Sequence, residues 1–184
     1  MKTAETKTEL IWALVMTSKR HVFLVAVLGL IGLSAAAESP ERFVEAVFGE
    51  LPAEQKISLH GDVKEDVTDA YGGRYPGFSV SYWQHNDQRI WALKARGKHG
   101  FVHAGLVVQA GRLVNIKVLS SREQRGRMIE TPRFLDQFTG VGLDSGRALD
   151  RWIDGISGAT YSVNAVRKMA RAALVLDAFV AKQP

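Results

Sequence analysis

From Ser162 the chain reads SVNAVRKMARAALVLDAFVAKQ, and this stretch constrains the fold more than any other. Apolar residues recur at Val163, Val166, Met169/Ala170, Ala173/Leu174 and from Leu176 to Val180. Steps of three and four residues are the signature of one helical face, so the spacing predicts a long C-terminal helix. A hydroxyl side chain suits a helix N-cap, because it accepts from an otherwise unpaired backbone N–H. Ser162 is the expected cap.

Three runs upstream show strand character: RIWALKARG (89–97), FVHAGLVVQAG (101–111) and RLVNIKVLSS (112–121). Gly97–Gly100 and Ala110-Gly111 between them are natural turns, and the set reads as an antiparallel meander. In the last run Leu113, Ile116 and Val118 are apolar whereas Asn115 and Lys117 are not. This imperfect alternation predicts one buried face and one wet face, with a helix or a second sheet over the buried one.

Shorter elements complete the outline. ERFVEAVFGE, after Ser39-Pro40, puts Phe43, Val44, Val47 and Phe48 on one helical face and stops at Gly49. Between Leu51 and Gly77, KISLHGDV is compatible with a strand and YGGRYPG is dense in turn residues; no firmer assignment follows. TPRFLDQFTGVG predicts a helix opened by Thr131-Pro132, with Phe134, Leu135 and Phe138 inward and Gly140 as terminator. The expected fold class is α+β: an antiparallel twisted sheet packed by helices, the long C-terminal helix last.

The first residues read as an address. Lys19-Arg20, an apolar run from Val22 to Leu33 and Ala35-Ala36-Ala37 follow the order of a secretory signal peptide. The run falls short of the roughly 20 residues that span a bilayer. Cleavage after Ala37 is therefore expected, with a membrane anchor as the outcome if the signal is retained. MTSKRHVFL makes Met16 a second candidate start. The organisation expected is 1–37 signal peptide, 38–74 leading helix and loop region, and 75–184 the main domain, in a periplasmic protein with no stable membrane span once the signal is removed.

Composition narrows the chemistry. With no cysteine there is no disulfide framework, thiolate metal site or cysteine nucleophile, so redox chemistry requires something bound. Losing residues 1–37 removes four of the 24 Lys and Arg and two of the 19 Asp and Glu, leaving a formal charge of +3. That is too small an excess to indicate nucleic acid. His85, His99 and His103 do not fall into a spacing that implies a metal, and solvated side chains are expected for them. Neither a Ser-His-Asp set nor a dinucleotide GxGxxG motif is evident. Trp83 and Trp91 are expected to pack the sheet.

The stretch with chemical content is DGISGATYS, residues 154–162. It lies just before a helix start, where unpaired N–H groups and the positive end of the helix dipole favour an anion. Gly158 permits a backbone conformation closed to other residues, Ala159 keeps the turn uncrowded, and Thr160 offers a hydroxyl. The plain alternative is an ordinary capping segment.

DGISGAT followed by a helix resembles the flavinylation motif of the FMN-binding domain family (RnfG/NqrC/NosR type), which also includes small exported flavoproteins. The likeness extends to RLVNIKVLSSREQRG and FLDQFTG in the same order, and so to about residues 75–180. It implies covalent FMN, with Thr160 esterified to the FMN phosphate by a flavin transferase that uses FAD and magnesium, and Ser157, Gly158, Ala159 and Asp154 around it. Many members carry Glu-Thr-Pro-Gly in a turn after the strands; here Glu123 and Gly126 match, while Gln124 and Arg125 do not. If that loop faces the flavin, Arg125 or Arg127 would stabilise a negatively charged reduced flavin. Asp154 is expected to hold the turn through backbone N–H groups, and Trp152 is placed to border the flavin.

The resemblance implies a periplasmic electron carrier, with membrane-bound or periplasmic redox partners. The alternatives are a flavin-dependent reductase acting directly on a substrate, or a non-catalytic binding or sensory domain.

Overall fold

The computed structural model describes residues 37–123 and 126–183. The expected signal segment up to Ala36, with Met16, lies outside the described residues, as do Gln124 and Arg125. The elements are α1 (Pro40–Phe48), β1 (Gln55–Ser58), α2 (Gly61–Tyr71), β2 (Ser79–His85), β3 (Gln88–Arg96), β4 (Phe101–Gln109), β5 (Arg112–Ser120), α3 (Pro132–Leu135) and α4 (Thr160–Val180), with single 3-10 turns at Gly126–Glu130 and Asp136–Phe138.

The five strands form one open sheet in sequence order, every pair antiparallel, so the predicted meander and the α+β class hold. Its two-residue turn at Ala110-Gly111 has positive φ at both positions (49° and 70°), the geometry that matches the twist of flanking strands. The faltering alternation of β5 has a structural cause. Val107 pairs Asn115 while Val108 pairs Leu113, so Val114 is an extra residue in a β-bulge. The bulge lets Leu113 and Ile116, three apart, face the same core.

Both faces of the sheet are covered, which departs from the expectation of one wet face. Trp91, Leu93, Val102, Leu106 and Leu113 lie in the larger core with residues of α2 and α4. On the opposite face Trp83, Ile90, Val107 and Leu119 bury Phe43 and Val44 of α1. Helix α1 can lie this close because β4 has Gly105 beneath it: a Cβ there would run into the Phe43 ring. Strand β4 is consequently buried at nearly every position from Val102 to Val108, which erases its period of two.

The unassigned stretch Leu51–Gly77 holds the edge strand β1 and the helix α2, closed by Gly72 at φ 70°. Helix α3 and the following 3-10 turn bring Phe134 and Phe138 inward as expected, with Gly140 at φ 78°. Helix α4 lies along the sheet. Its one buried charge, Asp177, accepts from Arg89 Nη1 at 3.2 Å and from Trp91 Nε1 at 3.4 Å.

Candidate functional site

The segment Ile156–Ala159 is a tight turn. The Ala159 N–H donates to the Ile156 carbonyl at 3.0 Å, and Gly158, at the third position, has φ 76°. A β-turn with positive φ at that position favours glycine, which is why the motif needs Gly158. Ala159 is buried and seats the turn, whereas Ser157, Gly158 and Thr160 are exposed.

The helix begins at Thr160 rather than after Ser162. Ala159 occupies the cap position without a side-chain hydrogen bond, and the first intrahelical bond runs from the Val163 N–H to the Ala159 carbonyl. The N–H groups of Thr160, Tyr161 and Ser162 thus lack partners within the helix, and the Thr160 side chain sits at its positive end. Ser162 is buried in the first turn and is not the cap: its hydroxyl donates to Glu123 Oε2 at 3.3 Å.

Glu123 ties three parts of the chain together. Its Oε1 accepts from the backbone N–H of His99 at 2.5 Å, and its Oε2 lies 3.5 Å from His99 Nδ1. The β3–β4 turn that carries His99 closes by a 2.8 Å bond from the Gly97 N–H to the Gly100 carbonyl. Gly97 is where the carboxylate passes: a Cβ there would lie 2.7 Å from Glu123 Oε1. Burial alone would push the Glu123 carboxyl up, but the His99 N–H, the His99 ring and the Ser162 hydroxyl outweigh it and hold the group below the usual glutamate range.

A cavity of about 300 Å³ opens at this junction. Gly158, Ala159, Tyr161 and Ser162 line it from the helix start, Lys98 and His99 from the β3–β4 turn, and Glu123 from the strand exit. The sequence-derived residues Gly158, Ala159 and Glu123 therefore meet around one space. Lys98, His99 and Tyr161 were missed; Gly-Lys-His-Gly at residues 97–100 was read only as a turn, and its glycines were the signal available. His99 is not the freely solvated side chain expected, because Glu123 holds it.

Other sequence-derived residues lie differently. Gly126 opens the 3-10 turn after Glu123, and Arg127 is exposed. Asp154 does not tie the turn through its carboxylate; its backbone N–H donates to Gln137 Oε1 at 2.7 Å, and the side chain is exposed. Trp152 is 79% exposed beside a different cavity. Trp83 and Trp91 are buried on opposite faces of the sheet. Among the described residues, no group of three or more His, Asp or Glu is arranged to hold a metal ion, and no helix is long and apolar enough to cross a membrane.

No curated protein matches the chain in sequence. The model of the FMN-binding domain family matches residues 97–175, from the glycine against Glu123 to the interior of α4. The match thus takes in every residue lining the cavity beside Thr160, and the similarity of residues 97–175 to the FMN-binding domain supports flavin binding by this chain.

Proposed function

We propose that the protein is an exported electron-transfer flavoprotein that carries FMN esterified through its phosphate to Thr160 and relays electrons between a membrane donor and a periplasmic acceptor. The observation that carries this reading is the exposed Thr160 hydroxyl at the first position of α4, next to the cavity within the matched domain. The residues present fit the phosphate end of the cofactor. Three N–H groups lack intrahelical acceptors, the turn before them is uncrowded, and Lys98 adds a cation to the cavity wall.

Loading proceeds at Thr160. Thr160 Oγ would hold the FMN phosphate as an ester, made by a flavin transferase from FAD with release of AMP and of the hydroxyl proton. Bound FMN supplies reversible electron transfer. The chain's own residues do the rest. The Ile156–Ala159 turn presents the hydroxyl, and Glu123 pins the β3–β4 turn to α4 through His99 and Ser162. Lys98 sets a positive charge in the cavity wall, which would favour a negatively charged group there. Tyr161, 63% exposed, offers an aromatic surface at the cavity.

The test is the intact mass and visible absorbance of the denatured protein, co-produced with a flavin transferase, beside Thr160→Ala. The expected result is an FMN increment that survives denaturation and is absent from the variant. A chain of unmodified mass from cells that modify a control substrate would overturn the covalent reading.

A further inference from the structure

A second cavity, of about 470 Å³, runs along the flank of α4 away from the motif turn. Arg167, Lys168 and Arg171 line it at the three- and four-residue spacing of one helical face; Arg151, Trp152 and Ile153 supply the opposite wall. The Arg167 guanidinium donates to the Ile153 carbonyl and stands 5.3 Å from the centre of the Trp152 ring. It is thereby held across the opening.

None of these four cations forms an ion pair among the described residues, and no carboxylate lines the cavity. The carboxylate nearest in effect, Asp150, feels Arg151 but is bonded to Arg112 and to the Gly142 N–H. Arg171 Nε is buried without a hydrogen-bond partner. A buried donor left without an acceptor is costly, and here it belongs to a cation that lines an open space. Trp152 meanwhile leaves a large aromatic surface in water. Concave sites that combine apolar or aromatic walls with a few convergent polar groups are the usual form of small-molecule sites.

We propose that this cavity binds a small organic anion, a planar aromatic ring bearing a phosphate or carboxylate, with the ring against Trp152 and the anionic group among Arg167, Lys168 and Arg171. The fork geometry of arginine suits both anions. The site is separate from the attachment point: residues 167–171 lie roughly 10–17 Å along the helix from Thr160 at about 1.5 Å per residue. It stands whether or not Thr160 carries a flavin.

The test titrates the full chain bearing Thr160→Ala with phenyl phosphate, followed by calorimetry and tryptophan emission, with inorganic phosphate and phenol as comparisons. One phenyl phosphate is expected to bind per chain, quenching the emission, and to bind at least about tenfold more tightly than either comparison. Arg171→Gln is expected to weaken binding by roughly tenfold. Trp152→Ala, at an exposed position whose loss leaves the core intact, is expected to remove the preference over inorganic phosphate. No binding by the folded chain, equal binding of inorganic phosphate, or binding indifferent to Trp152→Ala would each overturn the proposal. So would loss of binding in the flavin-loaded wild type, which would make the cavity the flavin's own seat. Failure of the covalent reading shows separately, as a missing mass increment.

Discussion

Two carboxylates are buried near α4, Asp177 on its last turns and Glu123 against its first, and they are held in opposite ways. Asp177 accepts from a guanidinium and an indole N–H, both fixed on the adjoining strand β3. Glu123 has no guanidinium or ammonium bonded to it among the described residues; a backbone N–H, a hydroxyl and a half-exposed imidazole hold it at the wall of a cavity. A carboxylate held by partners fixed on a strand fastens helix to sheet. One held by adjustable partners beside an open space can respond to what enters that space. The contrast separates a structural charge from a site charge without reference to any ligand.

The contrast can be broken most severely at Asp177. Arg89→Met would leave a buried carboxylate with only the indole bond, and the expected loss is about 3 kcal/mol in urea unfolding. A change near zero would put Asp177 in the adjustable class with Glu123. Next comes Gly97→Ala, whose new Cβ meets the Glu123 carboxylate; overpacking of this kind costs about 1–3 kcal/mol. The coupling to Glu123 sharpens the test: the penalty should shrink in the double variant with Glu123→Ala, and simple additivity would mean that the clash is relieved elsewhere.

The smallest effect is a pH dependence. Since the folded Glu123 pKa lies below its unfolded value, its ionisation stabilises the fold above the usual glutamate range, and that contribution is lost as pH falls through the folded pKa. Glu123→Gln should therefore flatten the acid limb of the stability curve. An acid limb identical to wild type would show that Glu123 is not held as described.

Periodicity revealed α4, which buries a regular stripe along its length, whereas the central strands were legible as apolar runs bounded by the glycine turns despite the buried β4 and the bulged β5. The short edge strand β1 was legible only as a stretch compatible with a strand, because four residues with only Ile57 partly buried leave little pattern to read. Helix α2 was hidden by a weak start, with Gly61 first and His60 giving no side-chain cap. At the site, the Gly158 turn was legible because positive φ restricts the residue type. The role of Ser162 was not, because a hydroxyl near a helix start reads as a cap until its partner, 39 residues away, is known. His99 joins the site only when the β3–β4 turn folds back onto Glu123. A contact that depends on chain closure leaves no mark on local spacing.

If FMN is attached at Thr160 as proposed, the exposure of this residue at the head of a helix whose later turns are buried bears on the order of assembly. An acceptor hydroxyl inside the core would have to be modified on a nascent or partly unfolded chain. Here the remainder of α4 can settle against the sheet with the Thr160 side chain still exposed, so that on the proposed reading a transferase would act on a finished fold. Maturation would then be a surface reaction, and a bare, folded precursor could wait until the cofactor becomes available.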